Sequence, residues 1–211
     1  AYTLALLGEH PSIMATVGQD FEEYRHWLES KGIDTSLVKA IPGVFTASFF
    51  ANTDRSNAQI ASFYPGAMSH AGELSFTELA QKPDLVVISP NDPGAMSRYV
   101  DECRQLGIPY FYDPSQQIVR LDADTLRRGI EGARALFVNE YEFSLVEKIT
   151  GLTRADVLQH AAFLVITLGK KGALIATKEQ EIEIPVFPPD VIQDPTGVGD
   201  AFRGGFLVGY S

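Results

Sequence analysis

The 211-residue chain holds a single cysteine, Cys103, so no internal disulfide can staple it and its stability must come from a hydrophobic core. Its four histidines, His10, His26, His70 and His160, lie far from one another and from Cys103, which argues against a zinc centre. Cations are scarce. Seventeen Lys and Arg against 27 Asp and Glu leave a net charge of −10, a surface that repels phosphate backbones and anionic lipid. Neither nucleic acid nor membrane is expected as a partner, and small ligands remain. No apolar run approaches the ~20 residues of a membrane span, and Ala1 opens no positively charged leader, so the expected location is the cytoplasm. The phosphate loop Gly-x-x-x-x-Gly-Lys-Ser/Thr is missing, since Gly169-Lys170-Lys171-Gly172 has the wrong spacing. No Gly-x-Gly-x-x-Gly follows an early strand, which weakens a dinucleotide-dependent oxidoreductase.

What is present is an ordinary globular composition, 45% hydrophobic and 21% charged, in a length that suits one α/β domain. Ala1–Gly8 reads as the second half of a helix closed by glycine, and Gly209-Tyr210-Ser211 falls inside a helical pattern, so a longer parent chain is expected at both ends. A strand is expected over Ser12–Val17, then a helix capped by Asp20 with Phe21, Tyr24 and Leu28 on one stripe. Residues 44–64 alternate apolar and polar about the connection Asn52–Asn57, the pattern of an amphipathic hairpin. From Leu85 onward, apolar strands (85–88, 109–112, 135–138, 163–167) alternate with helices (93–106, 124–133, 141–149, 154–160). That alternation predicts a mostly parallel sheet covered on both faces. Cys103 falls in step with Met96, Tyr99, Val100 and Leu106 and is expected in the core.

Polar clusters sit where these strands end, at Asn91-Asp92, Asp113–Gln117, Asn139–Glu142, Thr167–Gly169 and Asp194–Asp200, and such strand ends are where ligands gather in α/β sheets. The run Asp194-Pro195-Thr196-Gly197-Val198-Gly199-Asp200 is the most informative. Its glycines allow close backbone approach, the following helix start offers unpaired N–H groups to an anion, and Asp200 sets a carboxylate beside them. An anion receptor with an adjacent base suits transfer of a phosphoryl group to a hydroxyl, although two glycines and an aspartate can also simply cap a helix.

Asp194–Phe206 resembles the C-terminal signature of the PfkB/ribokinase family of carbohydrate and nucleoside kinases. Asn139-x-x-Glu142 resembles that family's magnesium and phosphate motif, and Thr167-Leu168-Gly169-x-x-Gly172 its nucleotide-side turn, all in family order. Ile60–Met68 and Asp113-Pro114-Ser115-Gln116-Gln117 look like the actinobacterial type of adenosine kinase within the family. The resemblance implies a ribokinase-like three-layer α/β/α sandwich with a small β-hairpin lid, one incomplete domain over residues 1–211 with residues 44–64 as part of the lid. It implies an ATP- and Mg²⁺-dependent kinase that makes AMP from adenosine. Asp200 would be the base, and Gly197, Val198 and Gly199 the anion hole. Phe49 and Phe63 would stack on the base, with Gln116, Gln117 and Arg120 also on the substrate side, each with a structural alternative. Asn139, Thr167, Gly169 and Gly172 would serve the nucleotide, Glu142 the Mg²⁺ through water, and Asp194 and Thr196 a monovalent cation such as K⁺. A ribokinase-like sugar kinase and a silent nucleotide-binding module are the alternatives. A homodimer through the exposed lid edge is a further expectation. The family's N-terminal strand aspartate and Gly-Gly…Asn segment, and its C-terminal helices, have no counterpart in these residues.

Overall fold

The computed structural model describes residues 1–53, 59–190 and 197–210, and the chain divides into two compact units, Ala1–Leu74 with Gln193–Ser211, and Ser75–Ile192.

The first unit opens with α1 (Tyr2–Leu6), β1 (Ala15–Val17), α2 (Glu22–Ser30) and β2 (Val38–Ala40). β1 and β2 pair in parallel, and the expected strand from Ser12 shortens because Ser12 makes only an isolated bridge to Asp34. Val17, Phe21, Leu28, Ile33 and Val38 form the core of this layer. Tyr24, expected on the same stripe, is instead exposed and stacks on Trp27 with centroids 5.5 Å apart. Asp20 does not cap α2. Phe21 holds that position, while the Asp20 carboxylate accepts the Thr46 N–H at 2.8 Å and the Thr46 hydroxyl at 2.7 Å, bonds that hold its carboxyl below the usual range. The same corner binds Gly18 N–H to the Thr46 hydroxyl at 2.9 Å and Gln19 N–H to the Val44 carbonyl at 3.0 Å. These bonds anchor the root of a hairpin, β3 (Ser48–Thr53) and β4 (Gln59–Tyr64), in which Phe49 stands directly opposite Phe63.

The second unit is a six-stranded sheet. In chain order it contains β5 (Val86–Ile88), α3 (Pro93–Leu106), β6 (Tyr110–Tyr112), α4 (Ala123–Ile130), β7 (Ala135–Asn139), α5 (Glu140–Thr150), α6 (Arg154–His160), β8 (Phe163–Thr167), β9 (Ala173–Ala176) and β10 (Glu181–Ile184). The spatial order is β10-β9-β8-β7-β6-β5, parallel from β5 to β8 and antiparallel through β9 and β10. β6 is buried throughout and β7 nearly so, as strands covered on both faces must be. α3 buries Met96, Tyr99, Val100 and Cys103 as its sequence predicts, starts at Asp92, whose side chain accepts the Ala95 N–H at 3.0 Å, and stops at Gly107 in the left-handed region. Chain residues beyond the sheet return to the first unit as α7 (Val198–Tyr210). Among the described residues no helix is long and apolar enough to cross a membrane.

Two features of the second unit's packing have measurable consequences. Gly129 of α4 lies so close to the Tyr112 ring that an added Cβ would overlap ring carbons, and that ring is itself buried. Gly129→Ala should therefore lower stability by about 1–3 kcal/mol despite the better helix propensity of alanine. Gly205→Ala, at a helical site with open space, should instead leave the thermal midpoint unchanged or raise it.

The other feature is Glu102, buried on α3, whose carboxylate accepts the Ser75 hydroxyl at 2.8 Å, the Phe76 N–H at 2.7 Å and Arg98 Nε at 2.7 Å. Burial alone would push this carboxyl up, but the three donors outweigh it and hold it below the usual range. Because the folded value is the lower one, its contribution is complete above the ordinary carboxylate range and is lost as pH falls through the depressed folded value. Denaturant melts from pH 7 down to pH 3 should show a steeper loss of stability in the native chain than in Glu102→Gln, which starts less stable.

Candidate functional site

Because β5 to β8 run parallel, the loops that follow them leave the sheet at one edge. Asn139 ends β7 and caps α5: its side chain accepts the Glu142 N–H at 2.8 Å, while Glu142 Oε2 accepts the Asn139 N–H at 2.8 Å. This reciprocal capping box fixes the carboxylate of a half-buried Glu142 at the strand end. Its other oxygen, Oε1, accepts the Ser115 hydroxyl at 3.1 Å. Thr167, the last residue of β8, pairs in register with Asn139. Beyond it, Gly169 and Gly172 bound a short 3-10 turn, and Gly172 runs so near the Ile184 carbonyl that a side chain there would collide with it.

After β6 the chain enters a 3-10 segment, Ser115–Arg120. Gln116 is exposed, and its Oε1 accepts the Ser115 hydroxyl at 2.9 Å. Gln117 is buried and donates from Nε2 to the Asn91 carbonyl at 2.7 Å, tying the loop after β6 to the loop after β5. Arg120, at the end of the segment, is exposed. The two adjacent glutamines thus stand in different surroundings, one at the surface and one clasping the backbone.

In the first unit, Gly197 sits at φ 78°, the left-handed region that favours glycine, and its carbonyl accepts the Ala201 N–H at 2.9 Å, the first bond of α7. Among the described residues, nothing lies within 4 Å of where a Gly197 side chain would begin. Asp200 follows in the first turn, its side chain 84% exposed and paired with Arg203 Nη1 at 3.2 Å. The guanidinium of Arg203 also passes 3.0 Å from where a Gly199 Cβ would lie. The Asp200 carboxylate is therefore exposed, and Arg203 lies beside both it and Gly199. Asp194 and Thr196 lie outside the described residues. Phe49 and Phe63, a directly opposed pair on the hairpin, are 65% and 48% exposed.

The sequence sets Asn91 and Ser115 in strand-end polar clusters and Arg203 in the Asp194–Phe206 run, yet assigns none of the three the contact that the structure shows. Arg203 has a local signal, since it stands three residues after Asp200 on a helix. Ser115 and Asn91 have none, because their partners lie 27 and 26 residues away.

The chain belongs to the pfkB family of carbohydrate kinases, which it matches over residues 1–211. A nucleoside kinase of Methanocaldococcus jannaschii is 31% identical over 97% of this chain and 67% of its own length. Among solved structures, the nucleoside kinase of Burkholderia thailandensis in complex with inosine superposes with a TM-score of 0.95 at 35% identity, covering 100% of this chain and 70% of that one. The same enzyme in complex with ADP-inosine gives 0.93 at 35% identity, covering 100% and 66%. The chain thus spans about two thirds of the length of these relatives. The fold is ribokinase-like α/β with a mostly parallel sheet, and the family transfers phosphoryl groups to an alcohol acceptor. At this level of likeness the relatives are nucleoside kinases and not adenosine kinases in particular.

Proposed function

We propose that this chain carries the phosphoryl-transfer machinery of an ATP-dependent nucleoside kinase that phosphorylates the 5′-hydroxyl of adenosine and yields AMP and ADP. The observation that carries the reading is Asp200, exposed in the first turn of a helix entered through Gly197, which adopts the left-handed region with no described residue crowding it. In the reaction the 5′-oxygen forms its bond to the γ-phosphorus while the bond to the β–γ bridging oxygen breaks. The hydroxyl proton passes to Asp200. Such transfers proceed through a loose transition state, so an ionised carboxylate serves by orientation and late proton acceptance more than by strong basicity. The N–H groups of Gly197, Val198 and Gly199 are the donors for charge developing on the migrating group. Arg203 holds Asp200 in place and adds positive charge beside the same amides.

On the second unit, Glu142 is the group suited to Mg²⁺. Among the described residues no group of three or more His, Cys, Asp or Glu is placed to hold a metal ion. Mg²⁺ keeps several waters and takes one or two carboxylates plus phosphate oxygens, and one carboxylate fixed by its own helix cap fits that demand. When bound, the metal neutralises charge on the phosphates. Asn139, Thr167 and Gly169 stand at the strand ends expected to meet the nucleotide, and Gln116 and Arg120 are the exposed polar groups of the acceptor-side turn. Phe49 and Phe63 supply stacking faces for a purine, consistent with the inosine bound by the Burkholderia relative.

The reading is tested by measuring ADP formation with adenosine, inosine, cytidine and ribose. Adenosine should give the highest kcat/KM. A higher value for ribose would replace the nucleoside reading with a sugar kinase, and no ADP with any acceptor despite nucleoside binding would mark a silent module. Asp200→Asn should cut kcat by about 10²–10⁴-fold while leaving adenosine affinity near its original value. Retained turnover would exclude Asp200 as the base.

The stacking role makes a separate demand. Phe49→Ala and Phe63→Ala should each raise the adenosine KM by about tenfold with smaller changes in kcat, in line with about 1–3 kcal/mol per stacked base. Unchanged KM values would return both rings to a purely structural role.

A further inference from the structure

Ser115 has the sole positive φ of any described non-glycine residue, 40°. An L-residue in that region is disfavoured by about 1–2 kcal/mol, so something local must hold it there. Its hydroxyl lies within bonding distance of two acceptors at once, Gln116 Oε1 at 2.9 Å and Glu142 Oε1 at 3.1 Å. A serine hydroxyl has one proton and can satisfy only one of them fully at a time. The two acceptors belong to different roles in the proposed reaction, Gln116 on the acceptor-side turn and Glu142 on the metal side.

We propose that Ser115 is a positioning residue whose single hydroxyl proton is shared between Glu142 and Gln116, so that loading the metal side at Glu142 sets the orientation of Gln116 for the nucleoside. While Glu142 bears its full charge, it is the stronger acceptor and draws the proton. Once a cation or its bound water engages that carboxylate, the charge is spent there, and the Ser115 proton turns to Gln116 Oε1. The Gln116 carbonyl is then held inward, and its two amide N–H donors face outward toward a ligand. Gln117 cannot take this part, since its amide is buried and committed to the Asn91 carbonyl. Metal–nucleotide and nucleoside binding are coupled in consequence, each strengthening the other by the same factor.

The inference rests on the assignment of Glu142 and Gln116 made above, and two measurements separate its failure from the failure of that reading. The first is calorimetric titration of adenosine into the protein with saturating ADP, in the presence of Mg²⁺ or of a chelator. Mg²⁺ should tighten adenosine about fivefold in the native protein, and the ratio should fall to about one in both Ser115→Gly and Ser115→Ala. Those variants differ in stability, because glycine relieves the positive φ and alanine keeps it, so an equal loss of coupling in both cannot come from folding. Ser115→Asn, which tolerates this backbone region and retains a donor, should restore part of the ratio. A native ratio retained in Ser115→Gly overturns the inference while leaving the kinase reading intact.

The second measurement needs no ligand. Glu142→Gln removes the charge from the carboxylate, and the Gln116 side-chain amide resonances should shift in the Ser115 background and stay still in the Ser115→Gly background. If adenosine does not bind the native protein, the nucleoside reading falls and this comparison alone decides the inference. Equal shifts in both backgrounds would overturn it.

Discussion

Parallel strands buried on both faces must satisfy their backbone groups with one another, and strands running the same way release their following loops at the same edge. From that constraint follows the gathering of Asn91, Ser115, Gln117, Asn139 and Thr167 in the second unit. The sheet does not position their side chains; short-range hydrogen bonding does. Asn139 and Glu142 fix each other through a helix cap, Gln117 is pinned to the Asn91 carbonyl, and Ser115 spans two neighbours. Asn139, Glu142 and Gln117 are thus held by bonds to the backbone, whereas the Ser115 hydroxyl bonds only side chains.

The elements with strong periodicity were legible before any coordinates. β5 to β8 and α3 fall where continuous apolar runs and an aspartate–proline start with a closing glycine place them. The capping box at Asn139 is local and equally readable. Where local rules met a competing partner they failed. Asp20 looks like a helix cap, but Thr46, 26 residues on, offers it two donors. Tyr24 sits on the apolar stripe of α2 yet prefers the face of Trp27. The different surroundings of Gln116 and Gln117 were invisible in sequence because they depend on a carbonyl from another loop. That Gly197 enters α7 with Asp200 in the first turn is readable from residue types, whereas the pairing with Arg203 is not.

Family membership and acceptor choice rest on different parts of the chain. In the proposed reaction the glycine turn with Asp200, and separately the Asn139–Glu142 pair, would serve the phosphoryl group, whose chemistry does not depend on what receives it. In the same proposal the acceptor would be read by the hairpin aromatics and the turn after β6, apart from the groups of the transfer step. The nucleoside kinases that resemble the chain do so at about one third identity.

Cys103 is fully buried on α3, and burial pushes its thiol up to about 12, so almost no thiolate exists at neutral pH. To maleimide or iodoacetamide the native protein is in effect blank. A cysteine engineered at an exposed hairpin position such as Ile60 would then carry a fluorophore or spin label at one defined place, with no need to strip the native thiol from the core first. Distances and mobilities recorded from such a label would report hairpin motion alone, free of the background that a reactive native sulfur would add.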